Sequence, residues 1–185
     1  MPFTVSSGWV GRYKIGDNIN YTLQVLADLY EARNESDDLD HLVQPIVILQ
    51  ASICEATIYD LIETRIRRHT WEPVDSIRDE VVEALRRAKF YDKFKKLINI
   101  AKPHLLLGDD QGFYTELHWI RKARNRVHLQ GLSNDNDYFF NNAVLVRSES
   151  VIEMLLKKMA QMYPRDPAYH VHVADFEVPW DERIQ

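Results

Sequence analysis

The residues of this chain that are best placed to do chemistry lie in one short run, 120–129, which reads IRKARNRVHL. An α-helix turns by about 100° per residue, so Arg121 falls about 20° from His128 around the helix axis, and Arg124 and Asn125 fall within about 60° of it. Side chains three, four or seven positions apart are also neighbours along the axis. The spacing therefore predicts one polar stripe of Arg121, Arg124, Asn125 and His128.

Two arginines beside a histidine can bind and cleave a phosphodiester. A guanidinium binds phosphate oxygens through a planar fork of N–H donors, and histidine moves protons near neutral pH. Cleavage of RNA needs a base for the ribose 2′-hydroxyl, an acid for the leaving oxygen and positive charge on the phosphorane. His128 is the predicted proton-transfer residue, and Arg121 or Arg124 supplies the charge. This chemistry requires no metal and no cofactor.

The same stripe also has an interpretation without chemistry. Arginine, asparagine and histidine on a surface helix often form nothing more than a solvated face. In addition, His128 stands close to the predicted end of its helix, where the helix dipole favours a cation. The spacing alone leaves both interpretations open.

Five predicted helices must position this stripe. Apolar residues recur with helical periodicity at about 18–33, 45–68, 77–101, 113–129 and 148–162. The second helix would be about 35 Å long, and we expect it to be the central element. The predicted fold is an all-α, up-and-down bundle of about five helices, with residues 1–165 as the helical domain and 166–185 as an extended C-terminal tail.

Composition narrows the classes of function. The 185 residues carry 23 basic and 28 acidic side chains, a net charge of −5, which argues against general nucleic-acid binding but leaves a local basic patch open. The single cysteine, Cys54, cannot form an internal disulfide or a cysteine-based zinc site. We see no secretory signal, and the apolar stretch 42–53 is shorter than the roughly 20 residues of a membrane span. We expect a cytoplasmic protein without a membrane segment.

The run from Arg121 to Leu129 resembles the signature of the HEPN superfamily (higher eukaryote and prokaryote nucleotide-binding domains). That signature is an arginine, often followed by a polar residue such as asparagine, and a histidine four to six residues further on. The surrounding layout is also similar: a long apolar helix carries Glu55 in its middle, and a charged helix and the signature helix follow. The resemblance spans about residues 17–162 and extends to the prokaryotic HEPN families linked to RNA metabolism and defence.

The resemblance implies a metal-independent endoribonuclease in defence or in a toxin–antitoxin or stress response. It implies a homodimer whose signature helices face each other across a composite site, with RNA as substrate and an antitoxin or defence protein as a further partner. His128 would be the general acid and base. Six residues separate Arg121 from His128, which fits the spacing of the signature. Arg124 is followed by Asn125, as in the common form of the signature, but only three residues separate it from His128. Both arginines therefore remain candidates.

Catalysis itself and several polar residues have more than one interpretation from the sequence. Many HEPN proteins have lost catalysis, so the alternative is a non-catalytic module that binds a partner protein or a nucleotide. Glu55 is either an acid that orients one of the arginines or a surface carboxylate. His118, one helical turn before Arg121, either extends the site or belongs to the core or surface of the helix. The basic residues of 86–96 are either an RNA contact or a solvated face.

Overall fold

The computed structural model describes residues 2–35, 40–89, 93–126, 139–170 and 172–183. The chain is 66% helical, and the described residues form six α-helices and one two-stranded sheet, so the predicted all-α class is confirmed. In chain order the elements are β1 (Phe3–Val5), α1 (Tyr13–Asn34), α2 (Val43–Tyr59), α3 (Asp79–Arg87), α4 (Phe94–Ala101), α5 (Gln111–Asn125), α6 (Asn142–Met162) and β2 (Phe176–Val178).

Helix α2 lies at the centre of the fold and packs against α1, α4, α5 and α6. Its sequence explains this position, because apolar residues occupy almost every side of the helix and nine of its seventeen residues are buried. The helical run Asp40–Arg68 is long and apolar enough to cross a membrane, and 61% of its most apolar window is buried inside the fold. The core helix of a soluble protein passes the same test, so this run is weak evidence for a span.

Helix α2 continues into a π-helical segment, Asp60–Arg68, where the sequence predicted ordinary α-helix. The N–H of His69 donates to the carbonyl of Thr64, five residues back, at 2.9 Å. A π-turn brings residues five positions apart to the same side of the helix. Asp60 and Arg65 are such a pair, and both contact the N-terminal loop. Asp60 accepts an N–H of that loop at 2.6 Å, and Arg65 donates to one of its carbonyls at 3.4 Å.

The prediction of a single helix over 77–101 is wrong, because the structure has two helices there. The backbone is extended at Ala88 (ψ 148°) and again at Lys93 (ψ 132°), so α3 and α4 are separate. The guanidinium of Arg67 contacts the carbonyl of Leu85 and donates to that of Ala88 at 2.7 Å. These terminal carbonyls are thus satisfied by a side chain from the central helix rather than by another helical turn.

The C-terminal residues that the sequence predicted to be extended return to the N-terminus. Strand β2 pairs antiparallel with β1. Phe176 packs against Trp9 with ring centroids 5.7 Å apart, and Trp180 packs against Tyr30 at 5.8 Å. All four rings are buried, so this part of the tail belongs to the hydrophobic core.

A buried ionic network joins four segments of the chain. Arg165 donates to Glu72 from two nitrogens at 2.6 and 2.8 Å, and Arg65 donates to the same carboxylate at 3.3 Å. The three side chains are only 3–4% exposed. Arg165 also donates to the carbonyl of Val10 at 2.8 Å, and Arg65 to that of Tyr163 at 2.6 Å. The network therefore holds together the N-terminal loop, the π-helical segment, the turn after it and the chain after α6.

Candidate functional site

Helix α5 presents the arginines predicted from the sequence. Its N-terminus is capped by the carboxylate of Asp110, which accepts the N–H groups of Gly112 at 2.8 Å and Phe113 at 3.2 Å. Its apolar side is buried in the core and consists of Phe113, Tyr114, Leu117, Ile120 and Ala123. Burial of that side leaves the polar positions of the helix facing outward.

The described part of the predicted stripe consists of Arg121, Arg124 and Asn125. Helix α5 ends at Asn125 with Arg126 as its C-cap, whereas the sequence predicted a helix to Leu129. Residues 127–138, and His128 with them, lie outside the described residues. The structure therefore gives the positions of the arginines, whereas the predicted role of His128 rests on the sequence alone.

Arg121, Arg124 and Asn125 line one open cleft of about 540 Å³ between α5, α2 and the start of α4. The other lining residues are Glu55, Lys93, Phe94 and Lys95. In the part of the chain that the structure describes, four cations and one carboxylate thus face the same space, on a protein whose net charge is −5. Such a local excess of positive charge favours an anionic ligand over a neutral or cationic one.

Within the cleft, Arg124 is already engaged. Its guanidinium forms an ion pair with the carboxylate of Glu55, on the central helix, and lies 5.5 Å from the centroid of the Phe94 ring. The side chains of the pair are only 25% and 26% exposed. The contacts of Glu55 and Phe94 hold Arg124 in place, and Glu55 offsets its charge.

Arg121 differs from Arg124 in its hydrogen bonding. Its Nε is buried and has no hydrogen-bond partner among the described residues. A buried donor without an acceptor costs roughly 1–3 kcal/mol, and Arg121 also forms no ion pair with a described residue. Of the two arginines that the sequence left as candidates, Arg121 is therefore the one whose charge remains available to an anion in the cleft.

A second imidazole lies beside the same cations. The pKa of His118 is lowered, first by burial and then by the positive charges of Arg121 and Lys102, with smaller effects of Lys122 and Lys95. The uncharged imidazole is thus favoured near neutral pH. Arg121 and Lys95 also line the cleft, so charges of the cleft act on His118, which is not itself among the described lining residues.

We expect an anion bound in the cleft to raise the pKa of His118, because the anion offsets the cations that disfavour the imidazolium. The measurement is an NMR titration of the His118 ring with and without inorganic phosphate. In Arg121→Gln the starting pKa should be higher and the response to phosphate smaller. A His118 pKa that phosphate leaves unchanged would contradict the assignment of the cleft as an anion site.

The sign of the linkage to stability follows from the same shift. Because the pKa of His118 is lowered in the folded state, the unfolded chain binds the proton more readily. The uncharged form therefore stabilises the fold above the ordinary histidine pKa of about 6.5. That contribution is lost as the pH falls below this value and through the folded-state pKa.

The sequence offered little evidence for some parts of the site. Lys93 and Lys95 belonged to the basic run for which the sequence favoured a solvated face over an RNA contact, and Phe94 was predicted only as a core residue. Phe94 is 2% exposed and packs in the core while its ring also lies beside Arg124. Among the described residues no group of three histidine, cysteine, aspartate or glutamate side chains is arranged to hold a metal ion.

Comparison with known proteins adds no relative. No family model, no curated protein and no solved structure matches this chain. A proposal for its function therefore draws on the geometry of the cleft and on the sequence of α5.

Proposed function

We propose that the cleft binds the phosphodiester backbone of RNA and that the protein is a HEPN-type, metal-independent endoribonuclease. The observation that carries the proposal is the cleft itself: among the described residues, four cations and one carboxylate line it on an acidic protein, and Arg121 forms no hydrogen bond or ion pair with any of them. A phosphate group provides the negative charge that these cations favour and acceptor oxygens for a guanidinium.

The proposed reaction is an internal transesterification. A base removes the proton of the ribose 2′-hydroxyl, and the 2′-oxygen attacks the adjacent phosphorus. The bond to the 5′-oxygen then breaks and that oxygen takes a proton, so the products carry a 2′,3′-cyclic phosphate and a 5′-hydroxyl. His128 is proposed to transfer the protons, and Arg121 to stabilise the negative charge that builds up on the phosphorane oxygens. Arg124 and Asn125, held on the same helical face, would position the phosphate.

The proposal includes a second copy of the chain. In the HEPN arrangement two signature helices face each other, so two basic clefts would contribute to one composite site. The biological setting we propose is defence or a toxin–antitoxin or stress response, with an antitoxin or defence protein as partner. Sedimentation velocity of the purified protein measures whether the dimer forms.

RNA cleavage in EDTA by the wild type and by Arg121→Ala tests the proposal. Removal of one group that stabilises transition-state charge typically costs about 100- to 1,000-fold in rate, and we expect a loss of that size. The matched control is Arg12→Ala, since Arg12 is exposed just before α1, lies outside the cleft and does not belong to the basic run 86–96, and it should stay within about twofold of wild type. Arg121→Lys should recover only part of the rate, because lysine keeps the charge but not the planar fork.

The products and the wild-type protein provide the decisive outcomes. A 2′,3′-cyclic phosphate end, identified by its resistance to phosphatase until acid opens the ring, is the expected product. A folded, dimeric wild-type protein that cleaves neither structured nor unstructured RNA would overturn the proposed catalysis. Equal rates for Arg121→Ala and Arg12→Ala would remove the cleft from the mechanism.

The ion pair between Arg124 and Glu55 favours a second candidate function, a non-catalytic HEPN-like module that binds a partner protein or a nucleotide. A carboxylate already offsets one of the two arginines, which weakens the charge available to a transition state. This candidate predicts that fluorescently labelled RNA or nucleotide binds with an affinity that depends on Arg121, while no cleavage occurs.

A further inference from the structure

A groove of about 850 Å³ lies between α1 and the C-terminal segment around β2. None of its lining residues is shared with the basic cleft. The stripe of α1 along it is formed by residues three or four positions apart, at 17, 20, 24, 27, 31 and 34. From Asp17 to Glu35 the helix rises about 27 Å, so the groove is an elongated channel.

The groove has an apolar floor. Leu23 and Val178 support it from below but are only 2% and 0% exposed, so Ala27 and Pro179 carry its accessible apolar surface. Apolar area that remains accessible in a concave channel can stabilise a ligand once water is displaced.

The far wall of the groove is fixed by hydrogen bonds. The side-chain amide of Asn20 donates to the carbonyl of Ala174 at 2.8 Å, which ties the wall to α1. Asp175 accepts the backbone N–H of Ser7 at 2.8 Å, which ties it to the N-terminal loop. The groove is therefore preformed, and a ligand would not have to order it.

All the charged residues in the described lining of the groove are acidic. Five carboxylates line it, and the described lining includes no lysine, arginine or histidine. The carboxylates belong to Asp17, Glu31, Glu35, Asp175 and Glu177. The groove is thus the electrostatic opposite of the cleft on α5, and repulsion excludes an RNA backbone from it.

We propose that this groove is a docking site for a lysine- or arginine-rich amphipathic segment of a partner protein. Apolar side chains of the segment lie on the floor formed by Ala27 and Pro179, and its cations pair with the carboxylates of both walls. The length of about 27 Å fits a peptide of several turns rather than a small organic cation. The proposal is independent of the nuclease proposal, since it uses a different surface.

The experiment measures binding of a fluorescein-labelled, 18-residue helical peptide of leucine and lysine, with leucine on one face, by anisotropy. In Glu31→Gln/Glu177→Gln we expect the dissociation constant to rise about tenfold or more, because one paired carboxylate is lost from each wall. Both residues are exposed, so the variant should fold. The matched control is Asp28→Asn/Glu80→Gln, two exposed acids that do not line the groove, and it should bind as the wild type does.

One further peptide and one polyamine separate the alternatives. A peptide with serine in place of leucine should bind much more weakly, since the apolar floor contributes to docking. Equal binding of the serine peptide, or equal affinities of the two double variants, would show non-specific charge attraction and overturn the proposal. Full competition by spermidine at the peptide's own concentration would identify a small-cation site instead. Self-association that the peptide reverses and Glu31→Gln/Glu177→Gln abolishes would make a second copy of this chain the occupant, which also overturns it.

Discussion

Replacement of Glu72 by alanine is expected to lower the free energy of unfolding by about 3–5 kcal/mol, the typical cost of removing one partner from a buried ion pair. Glu72 is 3% exposed and accepts hydrogen bonds from Arg165 at 2.6 and 2.8 Å and from Arg65 at 3.3 Å. Without the carboxylate, two buried guanidinium groups that repel each other lose their ion-pair partner, and of the acids whose charge acts on Arg65 only Asp60 remains. The cost is large because neither group can reach water without opening the fold.

The measurement is urea unfolding followed by circular dichroism. The matched control is Glu83→Ala, because Glu83 also pairs with two arginines, Arg86 and Arg87, but is 52% exposed. Surface pairs of this kind contribute about 0–1 kcal/mol, so the control should unfold close to the wild type. Equal effects of the two substitutions would contradict the view that the buried network is what holds the four segments together.

A substitution of His128 by alanine is expected to reduce RNA cleavage by about 100- to 10,000-fold, the range associated with loss of a general acid or base. RNA affinity should change little, since the cations of the cleft remain. The assay is single-turnover cleavage in EDTA with enzyme in excess, which separates the chemical step from binding. His128 lies outside the described residues, so this prediction follows from the sequence of the signature and from the cleft that α5 forms.

His118 and His41 provide the matched controls for that experiment. His41 is exposed, precedes α2 and does not line the cleft, so His41→Ala should retain the wild-type rate. His118→Ala should have a smaller effect than His128→Ala, through the cations it adjoins. If His118→Ala abolished cleavage and His128→Ala did not, the proton-transfer residue would be His118, and the resemblance to the HEPN signature would no longer explain the mechanism.

The two surfaces have different consequences for this protein. The basic cleft is built on α2, α4 and α5, and the acidic groove on α1 and the C-terminal segment. The charges that sum to −5 are therefore unevenly distributed over the surface. The basic cleft favours anions, and the acidic groove favours cations. An RNA and a basic peptide could bind at the same time without competing for residues.

Local periodicity was sufficient for the fold class and for part of the site. The all-α class and the apolar central helix follow from the spacing of apolar residues along the chain. The common face of Arg121, Arg124 and Asn125 follows in the same way from positions three and four apart, and the structure places all three in one cleft. Each of these features depends on residues within one or two helical turns.

Tertiary structure decided what depends on residues far apart in the chain. The two arginines differ because Glu55 pairs with Arg124 across 69 positions, whereas the Nε of Arg121 meets no acceptor among the described residues. The break between α3 and α4 is capped from Arg67 on the central segment, and the acidic groove exists because the C-terminal segment returns to α1. The spacing of residues along one helix carries no information about which side chain of another segment will contact it. The sequence therefore determined which residues share a helical face. Only the packing of the helices decided which distant residues each face contacts.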